Sequence, residues 1–364
     1  ESDFRRVAKV EPKLAAFAMY HLALVSYKKD NFTQAKERLG KAIDLNPEPA
    51  LLQQCQKFLV NIKAEERARR PASAMVTAFL KFDDNVSNQP LESTAGVLPS
   101  GLPATDQSDW SLGGSFLGSY KLVNSRRNQF GVSYSFLMEE YEHLQSNNLK
   151  AHNLSFFYYG NRKPIHLRLS GEYGYYFADN EDKMALYGLN PGMTWVFTPT
   201  DRLDFLLNLQ YRKMLDQTSN VNHYIATGVY YHDFKIDKTD IITFRAGVQY
   251  ENEKPRHETS PDYYLCEFST GMTLFSLAGF VPDLSAKYEL VNYDLFSAFD
   301  PTIERKDYRW EYSVQVSKEI TSTLKCIFIW THTRSKSNMR SGVGGQDPYR
   351  FTRNVLALVV SGTF

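Results

Sequence analysis

Residues 355–364 read Val-Leu-Ala-Leu-Val-Val-Ser-Gly-Thr-Phe, which puts Leu356, Leu358, Val360, Gly362 and Phe364 at every second position and closes on an aromatic ring. A period of two is the mark of a strand with one apolar face. An alternating final strand that ends in Phe is how outer-membrane β-barrels close, so Leu358, Val360, Gly362 and Phe364 are expected to act as a barrel-assembly signal. The same period recurs upstream, in Phe130-Val132-Tyr134-Phe136, Ile165-Leu167-Leu169, Leu203-Phe205-Leu207-Leu209-Tyr211, Ile242-Phe244-Ala246-Val248-Tyr250 and Tyr308-Trp310-Tyr312-Val314-Val316. Between these sit Ser133, Ser135, His166, Arg168, Asn208, Gln210, Thr243, Arg245, Arg309 and Glu311, so one face suits lipid and the other water.

Extended over the whole chain, the alternation predicts strands at 74–84, 108–123, 128–140, 149–160, 164–177, 184–198, 202–213, 221–235, 239–251, 262–276, 284–293, 305–317, 320–334 and 349–364. Connections after even strands are short (Asn124 to Arg127, Asn161 to Lys163, Pro199 to Asp201, Ile236 to Lys238). Those after odd strands are mostly longer and polar (Asn85 to Gln107, Asn252 to Pro261, Asp294 to Glu304, Ser335 to Pro348). Short turns at one end and long loops at the other are what a membrane barrel requires; sandwiches and propellers need no such parity. The expected fold is therefore a closed antiparallel outer-membrane β-barrel of about fourteen strands. It is preceded by a short α-helical segment, which puts the helices and Phe364 on the periplasmic side in a Gram-negative outer membrane.

Composition agrees. The chain holds 42 basic and 41 acidic residues, a net charge of +1 that gives no footprint for nucleic acid, and its 23 Tyr and 24 Phe suit interfacial girdles. A mean hydropathy of -0.42 is no objection, because averaging is blind to alternation. Cys55, Cys266 and Cys326 are odd in number and unsuited to a disulfide framework or a zinc site.

From Ala16 to Pro47 the period is helical, in two bursts parted by Lys29-Asp30-Asn31. Leu22-Ala23, Tyr27, Phe32, Ala35, Leu39, Ala42 and Pro47 resemble one tetratricopeptide repeat, with Met19 in place of the usual Trp and Ser26 at a position usually filled by a large side chain. One repeat cannot bury its own face. The expected layout is therefore a repeat segment at 1–49 that continues a longer upstream array in a mature or trimmed chain, a capping or linker helix at 50–71, and a barrel at 72–364. Arg67, Arg69 and Arg70 before Pro71 mark the helix exit at the membrane surface. Tyr20, Leu24 and Tyr27 fall on the side where such repeats dock peptides, or else pack against a neighbouring unit.

A helical repeat segment, then a first strand running Phe79-Leu80-Lys81-Phe82-Asp83-Asp84-Asn85-Val86, then a terminal Phe, resembles the surface lipoprotein assembly modifier (Slam) family. The resemblance at residue level covers Phe82 to Val86, the repeat and the C-terminus. It implies a fourteen-stranded barrel that helps exported protein clients across the outer membrane after its periplasmic repeats have engaged them. The partners implied are outer-membrane lipid, a client or subunits of an envelope complex, and the barrel assembly machinery. Polysaccharide exporters share the domain order with about sixteen strands, and a passive anchor for a larger envelope complex is a further alternative.

Inward parity predicts a lumen lined by Lys81, Asp83, Arg168, Glu172, Arg212, Arg245, Lys287, Glu289, Arg309 and Glu311. Mixed signs fit a protein-sized passage or a self-paired wall, not a single-sign ion filter. No catalytic residue, cofactor or metal is expected. Asp83-Asp84-Asn85 lacks the alternate-position pattern of a calcium loop, no Gly-x-Ser-x-Gly elbow occurs, His166, His232 and His332 show no helical metal spacing, and Gly342-Val343-Gly344-Gly345 is too weak for a phosphate loop. Arg353, Val355, Ala357 and Val359 leave the closing strand apolar on both faces near its end. That stretch of wall is expected either to be covered from inside or to form a well-packed closing seam.

Overall fold

The computed structural model describes residues 2–11, 14–68, 70–86, 108–125, 127–179, 181–215, 220–237, 240–255, 262–296, 304–339, 347 and 349–364. Expectations for Arg69, for the long loops centred on 87–107, 256–261 and 297–303, and for Gly342–Gly345 lie outside the described residues. Two compact units are present, Glu1–Pro71 and Ala72–Phe364.

The first unit holds α1 (Ser2–Val10), α2 (Ala15–Lys28), α3 (Phe32–Asp44) and α4 (Pro49–Ala68). The turn between α2 and α3 follows from two residues. Asp30 takes a left-handed φ of 63°, tolerated by a short polar side chain, and Asn31 caps α3 by accepting the Gln34 N–H at 3.0 Å. Ala23, Ala35, Leu39, Ala42, Cys55 and Ile62 are fully buried, and the three alanines let the helix backbones approach closely. Ser26 leaves room for the buried Arg38, whose Nη1 donates to the Leu22 carbonyl at 2.8 Å and to Ser26 Oγ at 2.6 Å. The small residue at a position that usually takes a large one is therefore filled by a guanidinium reaching in from α3.

The second unit is a closed barrel of fourteen antiparallel strands, each paired with its sequence neighbours and β1 with β14. They are β1 (Ala72–Asp83), β2 (Asp109–Asn124), β3 (Asn128–Tyr141), β4 (Leu149–Arg162), β5 (Ile165–Ala178), β6 (Glu181–Val196), β7 (Asp201–Met214), β8 (Val221–Lys235), β9 (Ile241–Pro255), β10 (Tyr263–Thr273), β11 (Phe280–Phe296), β12 (Glu304–Glu319), β13 (Leu324–Ser337) and β14 (Phe351–Thr363). Closure leaves no edge, so backbone donors and acceptors are met around the circumference in a medium that offers none.

Two strands start four residues away from where the alternation puts them. β11 starts at Phe280 instead of 284, because Ala278 (φ 51°) and Gly279 (φ 84°) make a two-residue hairpin whose flanking Leu277 and Phe280 exchange both backbone hydrogen bonds, and Pro282 is accommodated opposite Val316. β13 starts at Leu324 instead of 320, because Thr321 Oγ1 accepts the Thr323 and Leu324 N–H groups and holds 320–323 in a turn. All six turns at the end that holds Ala72 and Phe364 are short. At the other end 84–108 and 338–350 are long, and Asp179-Asn180 is a two-residue exception.

Leu80, Leu112, Phe156, Leu167, Leu189, Phe205, Val248, Phe268, Phe328 and Leu358 all share the outward parity and are exposed. An exposed apolar belt of this breadth is stable only when bathed in acyl chains. Outward tyrosine, tryptophan and phenylalanine rings meet across strands, as in Phe82–Trp110 (5.0 Å between centroids), Tyr173–Tyr187 (5.3 Å) and Tyr288–Trp310 (5.4 Å). Gly362 and Phe364 share that face, and Phe364 exchanges both backbone hydrogen bonds with Ala74.

Candidate functional site

The inner wall carries the chemistry. Near the loop end Lys81 pairs with Glu139 and donates to Tyr141 Oη at 2.8 Å, while Ser111 Oγ donates to the same Glu139 at 2.7 Å. On the far side Arg212 Nη1 donates to Glu253 at 3.0 Å and Nη2 lies 2.6 Å from Nδ1 of the buried His223, whose Nε2 is 2.8 Å from Glu251. Tyr263 donates to Glu251 at 2.7 Å. Lys287 stands among three carboxylates, Glu289 (2.8 Å), Glu311 (3.6 Å) and Glu267 (3.9 Å), and Arg309 closes the set on Glu289 at 3.0 Å. Arg305 Nε donates to Asp307 at 2.9 Å between the rings of Tyr293 and Tyr349.

Toward the turn end the pairs are Arg245–Asp283 (2.6 Å), Arg202–Asp233 (3.6 Å) and Arg168–Asp204 (3.9 Å). Long inner side chains lie flat along the wall where the residue directly opposite is glycine. Glu172 crosses Gly188, Arg245 crosses Gly271, and Phe79 crosses Gly113; a Cβ on any of the three would overlap them. Each of these named cations thus has its counter-ion in the wall, which breaks up a single-sign ring and leaves a lining dominated by paired charge.

Of the sequence-derived lining residues, Lys81, Asp83, Arg212, Arg245, Lys287, Glu289, Arg309 and Glu311 enter these clusters, Arg168 pairs with Asp204 and Glu172 lies on Gly188. Glu139, His223, Glu251, Glu253, Asp283 and Asp307 complete them and were not in that set. Glu253 and Asp283 fell in segments read as loops, because β9 runs to Pro255 and β11 starts at Phe280, beyond where the alternation stops.

The seam between β1 and β14 is fastened by three consecutive residues. Asp83, fully buried on the inner face, receives Arg353 Nε at 3.0 Å on both oxygens and Nη2 as well. Asp84, on the outer face, accepts the Asn354 backbone and side-chain N–H groups at 2.6 Å each. Asn85 Nδ2 donates to the Thr352 carbonyl at 3.0 Å. Asp83-Asp84-Asn85, where β1 runs into the loop, is thus a latch across the closing seam. Below it Val359 lies between Phe79 and Ile327 in the register, and Ala357 has Ile329 on its other side; Val355 and Val359 are half-buried.

Tyr20 and Tyr27 are partly buried against Phe58 of α4 (centroids 6.0 and 5.1 Å), and Tyr27 Oη bonds Glu65. Their rings therefore seat α4; Leu24 is half-buried beside them in sequence. Among the described residues Asp109, Glu142 and His143 are close enough to invite a metal. Asp109, however, is spent on the N–H groups of Trp110, His143 and Leu144 at 2.7–2.9 Å and on His143 Nδ1 at 3.1 Å, which clamps the loop after β3. That contact holds the His143 imidazole above its ordinary pKa of 6.5.

Fold and lining together define a fourteen-stranded membrane β-barrel with a self-paired lumen and a separate helical unit. No protein-family model matches the chain, and no curated protein matches it in sequence. Among solved structures it is similar to a FadL homologue of Pseudomonas aeruginosa (TM-score 0.44, 11% identity, covering 81% of this chain and 90% of that one). It is likewise similar to a loop L8 deletion mutant of OmpT, an outer membrane protein of Vibrio cholerae (0.46, 7%, 80% and 98%). An anion-selective porin from Comamonas acidovorans is comparable (0.43, 9%, 80% and 98%).

Proposed function

We propose that the protein is an outer-membrane translocation or assembly factor of the Slam type, with its turn end and helical unit in the periplasm and its loop end outside. The helical unit engages exported client proteins, and the barrel aids their passage. The observation that carries this reading is the lining. A polypeptide presents both charges and apolar side chains, and the wall answers with paired charge around most of its circumference and an apolar strip (Phe79, Ile327, Ile329, Val355, Ala357, Val359) at the seam. Fourteen strands enclose more width than their own side chains can fill, since about eight already give a packed interior. With Tyr20 and Tyr27 committed to α4, client contact on the helical unit falls to Leu24 and the flanking exposed face.

The reading is tested by deleting residues 1–71 in cells. Export of the client is expected to cease while the barrel still inserts and resists heat; undiminished export would refute it. A second reading, polysaccharide export, draws on Tyr263 and Tyr293, whose rings sit 6.0 Å apart on the inner wall beside Glu251 and Asp307. Oligosaccharides that block single-channel conductance, with no block by unfolded polypeptide, would select it.

A further inference from the structure

The outer wall of β12 and β13 changes character along its length. From mid-wall toward the loop end the outward positions of β12 run Val314, Tyr312, Trp310, Tyr308, Lys306, and those of β13 run Phe328, Trp330, His332, Arg334, Lys336. Apolar residues give way to aromatics and then to cations, the order of a membrane's core, interface and headgroup layer. Arg334 is directly opposite Trp310, Lys336 directly opposite Tyr308, and Lys306 one outward step beyond Tyr308. Directly opposed Cβ atoms are about 5 Å apart and diagonal ones about 7–8 Å, so the three long side chains can converge on one anion.

Two further observations point to a ligand. Arg334 and Lys336 are exposed, and among the described residues no carboxylate lies within ion-pair distance of Lys306, Arg334 or Lys336. The inward arginines at the same end of β12 behave oppositely: Arg305 and Arg309 are paired with Asp307 and Glu289. The outward positions from 306 to 312 and from 328 to 336 hold no acidic residue, and Glu304, the next outward position of β12, makes no ion pair with Lys306 among the described residues. A wall that pairs Arg305 and Arg309 on its inner face and, among the described residues, leaves three neighbouring outer cations without a counter-ion above an aromatic layer presents them to something anionic in the surrounding leaflet.

We infer that Lys306, Arg334 and Lys336, backed by Tyr308 and Trp310, form a binding site for the phosphate of a phosphorylated glycolipid in the outer leaflet. Basic side chains at the headgroup level contribute about 1 kcal/mol each toward anionic lipid, so three amount to roughly a hundredfold in affinity. The inference rests on the membrane orientation proposed above, which places the loop end in that leaflet.

The test uses the full chain in mild detergent, titrated with diphosphorylated lipid A, with a phosphate-free glycolipid and with inorganic phosphate, and read by native mass spectrometry. Resistance of the folded band to heat is followed in parallel, which reports separately whether the barrel itself has formed. The wild type is expected to retain lipid A and release the phosphate-free lipid. K306Q/R334Q/K336Q is expected to bind lipid A about a hundredfold more weakly, and R334Q or K336Q alone about fivefold more weakly. K213Q/K254Q, which removes outward cations of β7 and β9, keeps wild-type binding. Lipid A binding by the triple variant within threefold of wild type overturns the site, as does an equal loss in K213Q/K254Q. Full competition by millimolar inorganic phosphate overturns the lipid assignment in favour of free phosphate.

Discussion

The latch at the seam makes an asymmetric prediction. Asp83 is fully buried, whereas the Arg353 side chain keeps 28% of its exposure. Replacing Asp83 by Asn leaves a guanidinium that can turn toward water, a loss close to that of one charge-assisted hydrogen-bonded pair, about 1–2 kcal/mol. Replacing Arg353 by Gln strands a buried carboxylate that keeps, among the described residues, the Asn85 N–H at 3.1 Å, which approaches the about 3–5 kcal/mol of a broken buried pair. D83N/R353Q strands nothing and should cost less than R353Q alone, a coupling of about 2 kcal/mol that additivity does not allow. The assay is urea unfolding of the barrel in lipid vesicles, followed by tryptophan fluorescence. Trp110 reports on the latch, since its ring lies 5.0 Å from that of Phe82, the residue before Asp83. Equal losses for the two single variants, or strict additivity in the double, would refute the reasoning.

Further outcomes follow from the same geometry. Thr77 Oγ1 and Ser361 Oγ are 3.4 Å apart across the seam, so T77C/S361C in a C55S/C266S/C326S background should close a disulfide with little movement; clients passing through the lumen are exported unchanged, and loss of export on oxidation would assign the route to an opened seam. The imidazole of His143 has its pKa raised by Asp109, so its contribution to the loop clamp is complete below the ordinary value of 6.5 and is lost as pH rises through the raised one. Amide exchange at His143 and Leu144 should therefore accelerate over that window beyond its intrinsic pH dependence, with the extra acceleration absent in H143Q. The Cys55 thiol is buried and pushed up by desolvation, hence slow toward maleimide; F58A, which removes the ring seating α4, should cost about 2 kcal/mol locally and speed labelling severalfold, and unchanged labelling would show that α4 is held otherwise. G271V should displace Arg245 from the wall and part it from Asp283, seen as higher single-channel conductance.

What was legible in the sequence was whatever a period of two can encode. Leu203 to Tyr211 and Tyr308 to Val316 alternate because one face meets lipid and the other does not, and fourteen such stretches suffice for number, closure and facing. Strand ends are set by something else: two positive φ angles at Ala278 and Gly279, or the Thr321 hydroxyl capping Leu324, determine where pairing stops, and neither leaves a trace in hydrophobic periodicity. That is why Asp283 and Glu253, two counter-ions of the lumen, were read as loop. Buried partners across strands are harder still. His223 is ordinary in sequence and becomes part of a cluster only because register sets it opposite Gln210 and Glu253 and within reach of Arg212 and Glu251.

The Asp83-Asp84-Asn85 segment shows how a polar motif that is no cation loop can still have a use. Acidic and amide groups in succession invite a cation, but their spacing lacks the alternate-position pattern of a calcium loop. The fold gives them another use: on a strand, consecutive side chains point to opposite faces, so one inner and one outer carboxylate can grip the same neighbouring strand from both sides. Arg353 and Asn354 on β14 alternate in the same way and meet them. A run of polar residues that would be wasteful in a one-sided sheet is what a barrel needs at the single junction where the two ends of its chain pair, because that ladder alone joins strands with no hairpin to hold their register. The pair Asp84–Asn354 then predicts that N354A loosens the outer grip alone. Slippage of the β1–β14 register should follow, measurable as loss of disulfide yield at T77C/S361C, while an undiminished yield would show that Asp83 and Arg353 hold the register by themselves.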